Sequence, residues 1–425
     1  MVTPGVRRAD ADACPGALRL HAAADGALAR VRLPGGLLTG GQLRAVRELA
    51  EQFGDGHVEL TSRANLQLRA LTTASAETLA ARLEAAGLLP SATHELVRNI
   101  AASPLSSAES AAQVRRLDEA LCADPRLAAL PGRFLFALDS GALDVAPAAD
   151  VAAVPASALA GSAPTRSSPR VAYEEGETAV LFAGVDAGLR VPAGDTVTAL
   201  VAAAHAFLDE RDGTAGEQPV AWRVRELVDG PGRLAARTAA ALGVRLGGGG
   251  AVPEPGIREP VGLIGQAAGL VAVGAVVPLG RLSGVQIKVL EEAAAIAVTP
   301  WRGVVLPGLS PEAAGEWQRR LADAGLETRS GSRWSGVTAC AGRPGCAKSL
   351  ADVRGDATAV VLRQGPELAL LPVHWVGCAR GCGSPAGPHV RVEATGLGYD
   401  VRADGSSGFA TADEVGALVA AARRG

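Results

Sequence analysis

The sequence feature that most constrains the fold is an internal repeat, because a chain that carries one unit twice must build two similar substructures. The segment CPGALRLHAAADGALARVRLPGGLLTGGQLRAVRELA begins at Cys14, and EPVGLIGQAAGLVAVGAVVPLGRLSGVQIKVLEEAA begins at Glu259. Four pairs of residues match at one constant offset: Pro34 with Pro278, Gly36 with Gly280, Leu38 with Leu282, and Gln42 with Gln286. Both segments therefore predict the order strand, turn, strand, helix.

The two copies also share their helix signals. The capping-box pattern, in which a hydroxyl and a glutamine satisfy backbone groups at a helix start, occurs once in each copy: Thr39 with Gln42, and Ser283 with Gln286. Each copy then predicts a further strand, over 57–71 or 295–306, and a second helix that opens at Ser75 or Ser310. The second helices end before Gly87 and Gly325, where a left-handed residue closes a helix.

The remaining sequence forms two longer segments, about 89–250 and 327–425, and each is predicted to end in an alanine-rich helix, TVTALVAAAHAFLDE and ADEVGALVAAARR. The composition of residues 146–170 predicts a loosely held insertion. The whole chain is thus predicted to be a duplicated α+β protein. Its predicted domains are a first copy (1–88), an α/β segment (89–250), a second copy (251–326) and a C-terminal segment (327–425).

Charge and hydropathy exclude several classes of partner. The net charge of −3 offers no arm for nucleic acid, and the N-terminal sequence lacks the apolar core of a signal peptide. Residues 261–280 are uncharged and long enough to span a membrane, but their glycines, Gln266 and Pro278 favour a buried strand pair joined near Gly269. We therefore expect a cytoplasmic protein that binds neither nucleic acid nor a membrane.

One predicted strand carries a continuous polar face. In HVELTSRANLQLR, residues 57–69, apolar and hydrogen-bonding side chains alternate, and successive residues of a strand point to opposite faces. The polar face comprises His57, Glu59, Thr61, Arg63, Asn65, Gln67 and Arg69. This face indicates either a binding surface or the solvated side of an antiparallel sheet. The second copy has AIAVTPWRGVVL at this place, so the polar face belongs to the first copy alone.

Four of the six cysteines lie in two pairs near the C-terminus, at Cys340 and Cys346 (C-x5-C) and at Cys378 and Cys382 (C-x3-C). Four thiolates in two pairs suit a [4Fe–4S] cluster or tetrahedral zinc. The C-x5-C spacing is wide for a zinc knuckle, and the intervening glycines allow the backbone to curl around a bulky cluster. The spacing therefore favours iron–sulfur over zinc, with buried inert thiols as the remaining alternative.

Together these motifs resemble those of the siroheme sulfite and nitrite reductase superfamily, over nearly the whole chain. TACAGRPGCAKSLADVR and VHWVGCARGCGSP resemble its cluster-binding signatures, and LTSRANLQLRAL resembles its Thr-x-Arg-x-x-x-Gln tetrapyrrole-binding strand. LVRNIAASP, with Arg98 and Asn99, resembles its Arg-Asn element beside the active site. The resemblance implies a pseudo-twofold fold with two ferredoxin-like half-domains and two larger α/β segments, the second of which binds the cluster.

The same resemblance implies roles for individual residues. Cys340, Cys346, Cys378 and Cys382 would hold a [4Fe–4S] cluster, with Cys382 facing a bound tetrapyrrole. Arginines suit the carboxylates of such a macrocycle, because the planar guanidinium pairs with them bidentately. The implied tetrapyrrole-binding residues are Arg63, Asn65, Gln67, Arg69, Arg98 and Asn99. Arg98 and Arg133 are the candidate catalytic residues.

One departure from the superfamily pattern indicates a branch. Sulfite and nitrite reductases carry a basic Arg-Lys-Phe-Lys set after the Leu-Pro element, whereas this chain reads LPGRFLFALDSG, with Arg133 retained and Leu135 in place of a lysine. The loss of a cation weakens a site for a small oxyanion. This stretch resembles instead the precorrin-3B synthases of aerobic cobalamin biosynthesis.

That branch implies the hydroxylation of precorrin-3A at C20 by molecular oxygen, with closure of a γ-lactone. It implies an unidentified electron donor and a mononuclear non-heme iron, for which His57, Glu59, His94, Asp139 and His374 are candidate ligands. His374 also stands close enough to Cys378 to orient the cluster loop. The alternatives are a siroheme-dependent sulfite or nitrite reductase, a non-catalytic iron–sulfur or tetrapyrrole carrier, and a zinc-stabilised scaffold.

Overall fold

The computed structural model describes residues 14–73, 75–105, 107–159, 176–213, 220–254, 259–364, 371–385, 387–403 and 405–424. The chain divides into two compact units. Unit 1 comprises Met1–Leu18, Arg32–Leu37 and Gly87–Arg258, and unit 2 comprises Arg19–Val31, Leu38–Ala86 and Glu259–Gly425. Both units combine helices with five-stranded sheets, so the predicted α+β class is confirmed. The predicted domain boundaries at 88, 250 and 326 stay predictions.

Unit 2 contains most of both repeat copies, and each copy builds a sheet. The first-copy sheet has the strand order His21–Ala23, Gly26–Val31, Leu66–Leu71, Val58–Leu60 and Arg281–Leu282. The second-copy sheet has the order Gly262–Gly265, Val271–Val276, Gly303–Leu309, Ile296–Val298 and Leu37–Leu38. Each sheet therefore ends in a two-residue strand from the other copy. In the first-copy sheet this strand places Arg281 opposite Glu59 and Leu282 opposite Val58.

Two helices follow the same plan in each copy, at Gly40–Phe53 and Ala76–Ala85 in the first and at Gly284–Leu290 and Pro311–Asp323 in the second. Both predicted capping boxes are present, and Ser75 and Ser310 accept backbone hydrogen bonds at the second helix starts. The first helices of the two copies meet closely at Gly40, whose N–H donates to the Ala293 carbonyl at 3.2 Å. A Cβ there would lie 2.0 Å from the Glu291 carbonyl oxygen, so the contact requires glycine.

The predicted single strands over 57–71 and 295–306 are wrong, because each is a tight hairpin. Val58–Leu60 pairs antiparallel with Leu66–Leu71, and Ile296–Val298 pairs with Gly303–Leu309. Both turns are built alike: Thr61 N–H donates to the Asn65 carbonyl at 2.9 Å, and Thr299 N–H donates to the Gly303 carbonyl at 2.9 Å. A left-handed residue reverses each chain, at Ala64 (φ 57°) and Arg302 (φ 63°).

The C-terminal part of unit 2 forms a mixed sheet, with the order Val337–Ala339, Val373–Val376, Val390–Ala394, Tyr399–Ala403 and Ser406–Ala410. The first three strands are parallel and the last two are antiparallel. The helices Val353–Arg363 and Val415–Arg424 accompany this sheet. Its core includes Trp375 and Tyr399, whose rings meet edge to face at 5.2 Å.

Unit 1 repeats that topology. Its sheet has the order Ile100–Ala102, Phe136–Leu138, Val151–Pro155, Glu177–Phe182 and Val185–Pro192, with the first three strands parallel and the rest antiparallel. Its helices are Ala108–Ala123, Thr196–Gly213 and Gly230–Leu242. The sequence predicts only the second of these, and the prediction that it ends the segment is wrong, because Gly230–Leu242 follows it. The duplication therefore extends beyond the aligned repeat.

The loosely held insertion predicted over 146–170 is wrong where the structure describes it. Val151–Pro155 is a central strand of the unit 1 sheet, and the side chains of Val151 to Val154 are at most 1% exposed. Alanine-rich composition there reflects close packing against neighbouring strands, and not a lack of core-forming residues. Residues 160–170 lie outside the described part of the chain.

The uncharged stretch 261–280 forms the predicted strand pair. Gly262–Gly265 and Val271–Val276 are antiparallel, and Gly269 in their turn has a left-handed backbone (φ 73°). Among the described residues, no helix combines the length and hydrophobicity needed to cross a membrane.

Candidate functional site

The two loops that carry the four C-terminal cysteines start side by side at one edge of the mixed sheet in unit 2. The first cysteine loop (Cys340–Cys346) follows the strand Val337–Ala339, and the second cysteine loop (Cys378–Cys382) follows its parallel neighbour Val373–Val376. The ends of adjacent parallel strands lie side by side, which explains why two distant motifs converge. Cys340 N–H donates to the Trp375 carbonyl at 2.9 Å and joins the two loop starts.

The sulfur atoms share one electrostatic environment. Burial raises the pKa of the Cys382 thiol, Arg380 opposes this increase, and the other three cysteines each add to it. Gly377 N–H donates to Cys340 Sγ at 3.2 Å, a bond that stabilises a thiolate. Within the described chain, no three His, Cys, Asp or Glu side chains form a group that could hold one metal ion directly.

The second cysteine loop is fixed by two side chains. The buried His374 ring bridges Thr338 Oγ1, at 2.7 Å from Nδ1, and the Cys382 carbonyl, at 3.0 Å from Nε2. Burial lowers the pKa of His374 to about 4, so the ring is neutral at physiological pH. Arg302, which the sequence analysis missed, donates from Nη2 to the Gly383 carbonyl at 3.1 Å. Burial also lowers the pKa of Arg302.

The polar face of the first-copy sheet is part of unit 2 as well. Glu59 and Gln67 lie opposite each other across the hairpin, and Gln67 Nε2 donates to Glu59 Oε2 at 2.8 Å. Arg30 Nη2 donates to Gln67 Oε1 at 3.2 Å. These side chains therefore bond to one another along the face.

Arg69 contacts the first cysteine loop. Its guanidinium is buried, donates to both carboxylate oxygens of Asp25 at 3.2 and 3.0 Å, and donates to the Gly345 carbonyl at 2.8 Å. Arg354 reaches the same loop, with Nε donating to the Cys340 carbonyl at 3.1 Å and Nη1 lying 2.7 Å from Glu59 Oε1. The sequence motifs predict no role for Asp25 or Arg354, because they carry no signal for these pairings.

Arg63 and Asn65 do not extend the face of Gln67 and Arg69. Both lie in the hairpin turn, where the backbone N–H groups of Arg63 and Asn65 donate to Thr61 Oγ1 at 3.4 and 3.0 Å. Asn65 is buried and Arg63 is half-buried. The predicted polar face is thus divided between two strands, Val58–Leu60 and Leu66–Leu71, and the turn that joins them.

The predicted site residues of unit 1 have intramolecular partners. Arg98 donates to both oxygens of Asp118 at 2.7 and 2.6 Å and to the Leu88 carbonyl at 3.2 Å. Asn99 Nδ2 donates to the carbonyls of Leu96 and Gly132 at 2.8 and 3.0 Å. These contacts fasten the segment of Arg98 and Asn99 to the helix Ala108–Ala123 and to the backbone at Gly132.

Arg133 is exposed and lies 4.8 Å from the centre of the Trp222 ring, a cation–π contact. Leu135, at the position where the reductase pattern has a lysine, is only 4% exposed and belongs to an apolar core. This stretch therefore presents one cation, as the sequence indicates.

The candidate iron ligands outside the cysteine edge already have polar contacts. The carboxylate of Asp139 accepts four backbone N–H groups, from Gly141, Leu143, Val145 and Ala146. The His94 ring contacts Ser91 Oγ at 2.9 Å and the Asp124 carbonyl at 3.0 Å, and His57 Nδ1 contacts the Asp55 carbonyl at 2.8 Å. Each has a structural use in its own loop.

Residues 21–86 match the family model of the nitrite/sulfite reductase ferredoxin-like half domain. A precorrin-3B synthase from Sinorhizobium sp is 28% identical, and the alignment covers 97% of this chain and 88% of that protein. Ferredoxin–nitrite reductases from Leptolyngbya laminosa and Synechococcus elongatus are also 28% identical, over 89% of this chain and 78% and 77% of theirs. The structure of the Mycobacterium tuberculosis NirA protein matches with a TM-score of 0.67 and 20% identity, over 92% of this chain and 79% of that one.

Proposed function

We propose that the chain is an oxidoreductase of the precorrin-3B synthase type, because residues 21–86 match the nitrite/sulfite reductase ferredoxin-like half domain and the chain shares the fold of NirA. Its proposed substrates are precorrin-3A and molecular oxygen. Its relatives of similar identity include both a precorrin-3B synthase and nitrite reductases, so the choice between these reactions depends on the site.

The observation that carries the proposal is the convergence of four cysteines at one sheet edge, with a backbone N–H directed at a sulfur. This donor set fits a [4Fe–4S] cluster, because amide donors compensate the negative charge of thiolate-bound clusters. Cys340, Cys346, Cys378 and Cys382 would hold it. When bound, the cluster would supply one-electron transfer, a chemistry that protein side chains do not provide.

The basic set of a small-oxyanion site is incomplete in this chain, which favours a tetrapyrrole as substrate over nitrite or sulfite. Leu135 is buried in an apolar core, so Arg133 lacks the second cation that the reductase pattern places beside it. Oxyanion sites act through convergent positive charge, and a buried leucine contributes none.

In the proposed reaction one atom of O2 enters precorrin-3A at C20 and the other leaves as water. Two electrons and two protons come from an external donor, and a ring-A acetate closes the γ-lactone. Arg63, in the first-copy turn, is the proposed contact for a substrate carboxylate. A mononuclear non-heme iron remains part of the proposal, without assigned ligands.

The test is anaerobic purification followed by iron, sulfide and absorption measurements, and then incubation with precorrin-3A, O2 and a chemical reductant. We expect iron and acid-labile sulfide, no Soret band before substrate is added, and a product that gains one labelled oxygen atom. Tight binding of precorrin-3A without oxygen consumption would support a carrier instead. Zinc without sulfide would contradict the cluster.

A siroheme-dependent nitrite or sulfite reductase is the second candidate, and the identity to two ferredoxin–nitrite reductases favours it. A strong Soret band in the purified protein, together with nitrite or sulfite consumption by reduced methyl viologen, would establish this reaction. The same preparation therefore separates the two functions.

A further inference from the structure

Two arginines hold the two ends of the first cysteine loop. Arg69 Nη2 donates at 2.8 Å to the carbonyl of Gly345, the residue before Cys346. Arg354 Nε donates at 3.1 Å to the carbonyl of Cys340. The backbone beside each cysteine of this loop is thus fixed by a side chain from outside the loop.

Both arginines are anchored on carboxylates of the first-copy sheet. Arg69 bonds to both oxygens of Asp25, and Arg354 Nη1 lies 2.7 Å from Glu59 Oε1. Arg69 Nε lies 3.9 Å from the same Glu59 oxygen, so Glu59 is shared between the two guanidinium groups. Gln67 donates to the other oxygen of Glu59 at 2.8 Å and fixes its orientation.

Burial makes this arrangement a strong geometric restraint. Glu59 and Arg69 are only 9% and 8% exposed, and displacing one partner of a buried ion pair leaves an uncompensated charge. The loop approaches the pair closely at Gly345, where a Cβ would lie 3.0 Å from Asp25 Oδ2 and 3.2 Å from Arg69 Nη2. Glycine allows this approach.

We propose that Asp25, Glu59, Arg69 and Arg354 are positioning residues that preorganise Cys340 and Cys346 for cluster binding. This inference rests on the proposed function, and it assigns Arg69 to the cysteine loop instead of a substrate carboxylate. Side chains that orient metal ligands through hydrogen bonds typically change metal affinity or activity by ~10–100-fold when they are removed. The second cysteine loop is held by other residues, His374 and Arg302, so the effect should be confined to the first.

The test compares wild type, Arg69→Met and Glu59→Gln after anaerobic purification. Two quantities are measured: the rate of iron release to a ferrous chelator, and hydrogen–deuterium exchange of backbone amides. We expect iron release on the order of tenfold faster in Arg69→Met. Amide exchange should rise over 341–351 and stay unchanged over 378–385.

Arg47→Met is the matched control. Arg47 is a half-buried arginine of the first copy that pairs with Glu291 at 2.9 Å and Glu51 at 2.7 Å, and both of these partners lie outside the cysteine loops. It should release iron at the wild-type rate. If Arg69→Met fails to fold, Arg69→Lys replaces it, because lysine retains the positive charge but cannot donate to Asp25 bidentately. We expect its rate of iron release to lie between the rates of wild type and Glu59→Gln.

Unchanged iron release and unchanged exchange over 341–351 in both Arg69→Met and Glu59→Gln would overturn the proposal. Weaker precorrin-3A binding with normal iron release would instead make Arg69 a substrate contact, and would also overturn it. A wild type without iron and sulfide contradicts the proposed function, but the exchange comparison still tests the positioning role in that protein.

Discussion

At the residue scale, Arg63 and Cys382 separate substrate binding from cluster binding. Arg63→Ala should weaken precorrin-3A binding by roughly 10–100-fold, because a hydrogen bond to a charged group contributes about 1.5–3 kcal/mol. It should leave iron and sulfide content unchanged. Cys382→Ala should lower iron and sulfide content while the polypeptide still binds the tetrapyrrole. Equilibrium titration and metal analysis measure the two effects, and cluster loss in Arg63→Ala would show that this division is wrong.

Glu259 makes stability depend on pH. Burial raises the pKa of this carboxyl to about 7, and its side chain lies beside Gly303 of the second-copy hairpin. In the unfolded chain the group ionises near 4.5, so the unfolded state loses its proton first as pH rises. The free energy of unfolding should therefore fall between about pH 4.5 and pH 7, by roughly 3 kcal/mol at most.

Glu259→Gln removes this dependence, because the amide does not titrate. Chemical denaturation measures the free energy of unfolding at pH 4 and pH 8. Wild type and variant should have similar values at pH 4, and the variant should be more stable than wild type at pH 8. Glu254→Gln, at an exposed glutamate, is the control. A Glu259→Gln variant that is less stable than wild type at pH 8 would show that the carboxylate has a favourable partner in the fold.

At this scale the sequence carries a signal for the proposed cysteine ligands, which stay a prediction, but none for the partners of the arginines. Cysteine spacing is a local signal, and parallel strands then bring both pairs to one edge. Arg69 and Arg98 carry no local sign of their partners. Asp25 reaches Arg69 through strand pairing, and Asp118 reaches Arg98 from a helix. Tertiary placement alone decides whether such an arginine is available to a ligand.

At the element scale, each of the two hairpin turns uses a left-handed residue to reverse the direction of the chain. Ala64 has φ 57° and is 1% exposed. Ala64→Gly relieves a left-handed alanine, worth about 1 kcal/mol, and removes a buried methyl, worth ~0.8 kcal/mol. The two effects offset each other, so stability in urea should change by less than about 0.5 kcal/mol.

Ala45→Gly, inside the helix Gly40–Phe53, is the comparison, because glycine in a helix interior costs about 1 kcal/mol relative to alanine. It should lower the free energy of unfolding by that amount. An Ala64→Gly variant that loses as much as Ala45→Gly would mean that the left-handed backbone carries no strain.

The sequence predicts the helix starts correctly, but not the first-copy hairpin, and the difference has a physical reason. Capping boxes depend on residues three apart in sequence, and both formed as expected. The turn at 61–65 has no glycine or proline, and it uses the Thr61 hydroxyl to close the loop. The alternation of polar and apolar residues continues through that turn and imitates one long strand.

At the scale of the whole molecule, removing the proposed cluster should loosen one edge of unit 2 and leave unit 1 intact. The four proposed ligand cysteines, Cys340, Cys346, Cys378 and Cys382, are all in unit 2, in loops at one edge of its mixed sheet. After chelation, amide exchange should rise over both cysteine loops and stay unchanged in the unit 1 strands Phe136–Leu138 and Glu177–Phe182. Equal loss of protection in unit 1 would contradict this local role.

The duplication was visible in sequence because caps and glycines repeat at fixed spacing, and it fixed the fold class. The sequence does not show that the unit 1 sheet and the C-terminal sheet have the same topology. In each sheet a loop follows the second parallel strand, but the second cysteine loop and the Asp139 loop have no sequence motif in common. Backbone order is preserved while the loop chemistry differs.

The reciprocal exchange of two-residue strands between the copies has a consequence for biosynthesis. During translation, the edge strand Val58–Leu60 emerges long before its partner Arg281–Leu282, so the nascent N-terminal copy exposes an open edge while unit 1 is being made. The unpaired N–H and C=O groups of an open edge can bond to a strand of another chain, including a neighbouring nascent chain on the same messenger. Slow elongation between the two copies would therefore favour intertwined polypeptides over single ones.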